Sequence, residues 1–169
     1  MASRVREALG ESERAWRENR PDVDAAANPV FSRLAVLARQ LSAFHEGVLK
    51  PDGVSTTDYQ LLATLWVRGP QTPKSLNRLQ MMTTAGLTNA LDRLQRSGWV
   101  RRRPNPADAR SVVIELTADG SRFAERLSLI EMDRQSRVLA SMSRGERRTV
   151  VSSLDQLIER LDEFLAAPH

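Results

Sequence analysis

Three stretches of the chain place an apolar residue at every third or fourth position. No other feature constrains the fold as much. Residues 29–49 carry Val30, Leu34, Leu37, Leu41, Phe44 and Val48, spaced alternately by four and three. Residues 118–142 carry Phe123, Leu127, Ile130, Val138 and Met142, and residues 146–165 carry Val150, Leu154, Leu157, Leu161 and Phe164. This spacing draws a stripe along one side of a helix. Each stripe has to be buried against something. In 169 residues, one small module offers too little apolar surface to cover three such stripes. A second copy of the chain is the economical cover; an internal bundle in a monomer is the alternative.

Between the first and second seams the chain is cut into short pieces. Lys50-Pro51-Asp52-Gly53 ends the first long helix. Thr56-Thr57-Asp58 is expected to cap a helix to about Arg68, with Leu61, Leu62, Leu65 and Trp66 inward, and Gly69-Pro70 stops it. Thr72 before Pro73 is a helix start, and the short helix that follows carries Leu76 and Leu79 as core residues. Another helix spans 84–97 and is closed by Gly98. Trp99–Arg103 and Val112–Leu116 read as strands, with Val112, Ile114 and Leu116 on one face. The connection from Pro104 to Ser111 reads as a stiff loop, because its two prolines are barred from a strand interior. Thr117 caps the second long helix, and Ser143 with Glu146 forms a capping-box pattern before the last. Residues 1–20, ended by Pro21-Asp22, form either a helix carrying Ala8, Leu9 and Trp16 or a partly disordered segment.

The expected fold is therefore mainly α. It is a winged helix-turn-helix with long N- and C-terminal dimerisation helices and one short β-hairpin wing. Residues 1–50 hold the N-terminal extension and first dimerisation helix, 51–117 the winged module, and 118–169 the C-terminal dimerisation helices.

Charge is distributed to match. The net charge is only +4, but between Gln71 and Arg110 eight basic residues stand against two acidic ones. That window carries +6, which leaves −2 for the rest. All but two of the 25 basic residues are arginine. This reflects either GC-rich codon usage or selection for the planar fork that suits phosphates and guanine edges. The sequence has no cysteine and only two histidines, His45 and the terminal His169. Disulfides, thiolate metal sites and cysteine nucleophiles are excluded, and a histidine-rich zinc site has too few ligands. No phosphate-binding loop, dinucleotide fingerprint, nucleophile elbow or paired-carboxylate motif is present, so no enzyme activity and no cofactor are expected. No stretch is apolar enough to span a membrane and no secretory h-region opens the chain; a cytoplasmic protein is expected.

In the helix 84–97, Leu87, Leu91 and Leu94 stack toward the core. The other side opens with Thr84, Ala85, Gly86, Thr88 and Asn89, which are small or hydrogen-bonding. Small residues let a helix sink into the major groove, Asn pairs with adenine, and Thr offers its methyl to thymine or its hydroxyl to phosphate. A core helix with a tolerated Gly86 is the alternative. The expected DNA contacts add Thr72, Lys74, Thr83 and Arg93, and from the wing Arg103, Asp108, Arg110 and Ser111. An arginine at a hairpin tip suits a narrow minor groove. Asp108 is expected to hydrogen-bond loop backbone or to orient Arg110, since a carboxylate repels phosphate.

The stretch Asp108-Ala-Arg110-Ser-Val-Val-Ile-Glu-Leu116-Thr117 matches the wing signature D-x-R-x-x-x-x-x-L-T. It resembles the MarR (multiple antibiotic resistance regulator) family, and residues 86–120 resemble that family's recognition helix and wing nearly throughout. The resemblance covers about residues 29–165. It implies a homodimer with two winged modules on pseudo-palindromic double-stranded DNA. It also implies a transcriptional regulator, usually a repressor, released by a small aromatic or anionic effector. The extension bearing Trp16 resembles the extra N-terminal helix of the family's urate-responsive branch. Trp16 and Arg102 match that branch's effector residues, whereas Gln60 and Ala90 stand where it has Asp and Arg. His45 is a further effector candidate, or a satisfied, partly buried histidine. A winged module that binds RNA or a protein partner, without catalysis, is the alternative function.

Overall fold

The computed structural model describes residues 2–167, apart from the side chains of Ala2, Ser3 and Ala109; His169 lies outside the described residues. The elements in order are α1 (Ala2–Asn19), α2 (Asn28–Leu49), α3 (Thr56–Arg68), α4 (Pro73–Gln80) and α5 (Thr84–Arg96). A hairpin of β1 (Val100–Asn105) and β2 (Asp108–Leu116) follows, then α6 (Ala118–Val138) and α7 (Arg144–Ala166). This is the expected class, and the N-terminal extension is helical. Among the described residues no helix is long and apolar enough to cross a membrane.

The chain divides into two compact units, one up to Ala124 and one from Glu125 onward. In the first, α3, α4, α5 and the hairpin close on one apolar core. Leu61, Leu62, Leu76, Leu87, Ala90, Leu91, Leu94 and Ile114 are each at most 3% exposed. Burying a leucine of this kind contributes roughly 1.5–3 kcal/mol.

Local chemistry sets the helix ends. Thr72 is the N-cap of α4, as its position before Pro73 predicts, and Thr83 is the N-cap of α5. For α3 the cap is Ser55, one residue earlier than the Thr56-Thr57-Asp58 expectation. Its hydroxyl accepts from the Asp58 N–H, and Asp58 returns the contact to the Ser55 N–H. Serine and aspartate three apart satisfy two orphan donors at once, which a lone threonine cap cannot. Thr117 closes the hairpin onto α6. Its Oγ1 donates to Gly98 O at 2.7 Å and accepts from Gly120 N at 2.9 Å. Gly120 is required there, because a Cβ would lie 1.8 Å from the Trp99 carbonyl oxygen. The Trp99 and Phe123 rings stack 4.2 Å apart beside it.

The hairpin is longer than its sequence suggests. Pro104 lies inside β1, opposite Val112, and the register slips between Pro104 and Asn105. β1 is an edge strand, so the missing proline N–H interrupts no ladder with a further strand. Among the described residues, β2 is paired on its other side only at Ile114, which exchanges hydrogen bonds with Gln71 at 2.8 and 3.0 Å. The predicted one-sided face of β2 is also modified. Ile114 is fully buried and Leu116 partly so, but Val112 is 41% exposed while Val113 and Glu115 are buried. Val112 has run out past the module's body, and near the base both faces of the strand are covered.

The long helices look different. On α2, Val30, Phe31, Leu37 and Leu41 are 46–55% exposed, and α1 meets this helix through the Glu13–Arg33 ion pair at 2.6 Å. In the second unit, α7 begins with the predicted Ser143–Glu146 capping box. Its apolar residues Val150, Leu154, Ile158 and Phe164 are 40–64% exposed.

Candidate nucleic-acid interface

The α5 helix is oriented by its leucines. With Leu87, Ala90, Leu91 and Leu94 turned into the core, Thr84, Ala85, Thr88 and Asn89 are left exposed, as the helical wheel predicts. The first turn is held by its cap: Thr83 Oγ1 accepts from Gly86 N at 3.1 Å. A Cβ on residue 86 would lie 3.0 Å from that same oxygen, so Gly86 serves the cap as well as the surface. Thr88 donates its hydroxyl to Thr84 O at 2.9 Å. The α4 helix comes alongside: Asn77 Nδ2 donates to Thr84 Oγ1 at 3.4 Å, and Lys74 is exposed. The exposed face of α5 thus begins with free helix N–H groups and uncharged hydrogen-bonding side chains, the composition that reads groove edges.

The wing tip is braced from within. Asp108 Oδ1 accepts from Arg110 N at 3.0 Å, so Asp108 shapes the loop backbone, one of its two expected roles. Asn105 Nδ2 donates to Ser111 Oγ at 2.8 Å, and Ser111 in turn donates to Asp108 O at 3.1 Å. The Arg110 side chain is left exposed at the end of this rigid tip.

The cations fall into two groups. Arg93 pairs with the buried Asp58 at 2.9 Å, the carboxylate that also caps α3. Arg102 donates to Asp92 at 2.7 Å and to Gln95 at 3.0 Å on α5. Arg101 and Arg103 both pair with Glu115, at 2.5 and 2.9 Å. Lys74, Arg78 and Arg110, by contrast, are exposed and in no ion pair among the described residues. Sequence reasoning does not find Asp58 and Glu115 as partners of these arginines. Glu115 could have been found by aligning the two strands, since it stands directly across from Arg101. Asp58 and Arg93 are 35 residues apart and leave no such signal.

A cleft of about 570 Å³ opens between α4 and α5. Pro73, Leu87 and Leu91 give it apolar walls, and Lys74, Arg78 and Arg102 give it positive charge. The four effector candidates are not gathered in it. Trp16 lines a separate cavity of about 320 Å³ between α1 and the start of α2. His45 is half-buried with its ring edge-on to Phe44, and Gln60 is exposed on α3. Arg102 alone lies at the α4–α5 cleft.

Residues 54–112 match the MarR family model. The chain is 29% identical to the HTH-type transcriptional regulator PecS of Dickeya dadantii, over 89% of this chain and 90% of that protein. It is 30% identical to the overoxidised AbfR in its crystal structure bound to DNA. That match covers 80% of this chain and 94% of AbfR, with a TM-score of 0.62. A cysteine-to-serine mutant of MarR from Escherichia coli, crystallised with operator DNA, is 25% identical. It matches over 86% of this chain and 96% of that one, also with a TM-score of 0.62.

Proposed function

The chain belongs to the MarR family, and from that premise we propose that it is a transcriptional regulator that binds double-stranded DNA sequence-specifically. The observation that carries this reading is the exposed face of α5: uncharged Thr84, Ala85, Thr88 and Asn89, with the unpaired cation Lys74 lining the same cleft and the unpaired Arg110 on the wing. Thr72, Thr83 and Lys74 meet phosphate at helix N-termini, Thr84, Ala85, Gly86, Thr88 and Asn89 face base edges, and Arg110 enters the flanking minor groove. Asp108 and Ser111 hold the tip that presents Arg110. Arg93 and Arg103 frame the site without contacting the duplex, since both are anchored to carboxylates.

The regulator works as a homodimer on a pseudo-palindromic operator. The uncovered apolar rows of α2 and α7 support this, since only another apolar surface removes them from water. Two recognition helices then lie about 34 Å apart or a multiple of it, on one face of the duplex. The protein acts as a repressor in the cytoplasm and performs no catalytic step. A small aromatic anion fits the α4–α5 cleft, with its ring against Leu87, Leu91 and Pro73 and its charge near Lys74, Arg78 and Arg102. Bound there, it competes with DNA for Lys74 and Thr88.

The test is binding of duplexes from the chain's own upstream region against random duplexes, over a salt series. Specific binding is expected to exceed random binding by roughly 10³-fold or more, with a steep salt slope. Equal affinity for both, or preference for RNA, overturns the reading. Asn89→Ala is expected to relax preference at one base position; a uniform loss over all sequences reassigns Asn89 to phosphate.

A further inference from the structure

Arg101, Arg102 and Arg103 look in sequence like three cations offered to DNA. We propose instead that Glu115 is a positioning residue that withholds Arg101 and Arg103 from phosphate, and thereby limits how strongly this protein holds DNA of any sequence. The proposal rests on the DNA-binding reading above.

Glu115 is 8% exposed, whereas the side chains of Arg101 and Arg103 are 60% and 49% exposed. The carboxylate therefore lies beneath two guanidinium groups, with one oxygen on each: Oε1 to Arg101 Nε and Oε2 to Arg103 Nη2. The register explains the arrangement. Arg101 faces Glu115 directly across the hairpin, and Arg103, two residues on, points to the same side. Arg102 alternates to the other side, where Asp92 and Gln95 of α5 hold it.

An arginine leaving Glu115 for a phosphate would leave a buried carboxylate short of a partner, and an uncompensated buried charge is strongly unfavourable. A phosphate in solvent offers only a screened, exposed contact in return. The carboxylate therefore wins. Arg103 is only two residues from Asn105, at roughly 3.3 Å per residue along the strand, so it would reach the duplex beside the tip if released. Each arginine released onto phosphate would add an affinity that carries no sequence information. With both held, the wing touches DNA through Arg110, and discrimination stays with α5.

The experiment measures fluorescence anisotropy on a random-sequence duplex and on an operator duplex, from low to physiological salt. Glu115→Gln keeps the shape and removes the charge. It is expected to bind random DNA roughly ten-fold or more tightly at low salt, to steepen the log–log salt slope by about 1–2, and to narrow the gap between operator and random DNA. Glu115→Asp is expected to stay near the wild type, and Arg101→Ala/Arg103→Ala added to Glu115→Gln to abolish the gain. A purely structural role would lower the melting temperature and weaken binding with an unchanged slope. That result, or a gain that survives without the two arginines, overturns the proposal. If the wild type shows no salt-dependent binding to any duplex, the DNA-binding reading itself falls; a wild type that binds beside an unaltered Glu115→Gln sinks only the role of Glu115.

Discussion

The winged module and the long helices use the same leucine-rich chemistry to opposite ends. In α3, α4 and α5, Leu61, Leu62, Leu76 and Leu94 are 0–1% exposed, and the module completes its own core. On α2 and α7, Leu37, Leu41, Leu154 and Ile158 stand 40–55% exposed on equally regular helices. The difference lies in chain length between elements. Turns at Gly69-Pro70 and Met81–Thr83 fold three short helices back on one another, whereas α2 and α7 run 22 and 23 residues without a turn. A helix that long, about 33 Å at 1.5 Å per residue, presents more apolar stripe than a small module can cover. One region of the molecule thus buries its leucines within a single copy, and the other leaves its apolar rows uncovered.

The sharpest way to break this contrast is to charge the seam. Leu37→Asp with Leu41→Asp is expected to leave the winged core folded and to turn a dimer into a monomer by sedimentation. Across a two-fold axis each leucine counts twice, at roughly 1.5–3 kcal/mol each when fully buried. A variant that stays dimeric would show that α2 is not the interface. Within the module, Leu62→Ala is expected to cost about 2–5 kcal/mol by chemical denaturation, although it touches no exposed surface. A cost below about 1 kcal/mol would mean that the core relaxes around the cavity and is looser than its burial implies. Arg110→Ala should weaken operator binding by about 1–3 kcal/mol and leave the melting temperature nearly unchanged; an unaltered isotherm removes Arg110 from the wing contact. The smallest effect concerns the start of α7. Ser143 holds the Glu146 carboxyl below its ordinary range by side-chain and backbone hydrogen bonds. A carboxylate depressed in the folded state lends stability above its unfolded pKa and loses it as pH falls through the folded value. Amide exchange in the first turn of α7 should therefore quicken, relative to the rest of the helix, as pH drops below the ordinary glutamate range. Ser143→Ala should weaken that dependence without abolishing it, because the backbone N–H of residue 143 still donates to Glu146; an unchanged dependence assigns it to another group.

Much of this was legible without coordinates, and the pattern of what was not is instructive. The caps Thr72, Thr117 and Ser143 are legible because a cap and its target N–H are only three residues apart. Ser55 was missed by one position because two threonines and a serine compete there, and Asp58 decides between them by completing the box. The rule that bars proline from a strand interior holds for central strands, and β1, which carries Pro104, is an edge. The exposed face of α5 followed from its leucines alone, so Thr84, Ala85, Thr88 and Asn89 emerged from sequence as they stand in the structure.

The sequence by itself determined the helices after residue 28, the caps at Thr72, Thr117 and Ser143, the three apolar seams and the basic window from Gln71 to Arg110, since each depends on neighbours within a turn or two. Only the tertiary structure decided which of those cations are available. Arg93 is held by Asp58, 35 residues away, and Arg101 and Arg103 by Glu115 across the hairpin, from outside the basic window. A window sum treats every charge as solvated where it stands. An ion pair depends on which side chains folding brings within hydrogen-bond reach, and folding joins residues that the sequence keeps apart.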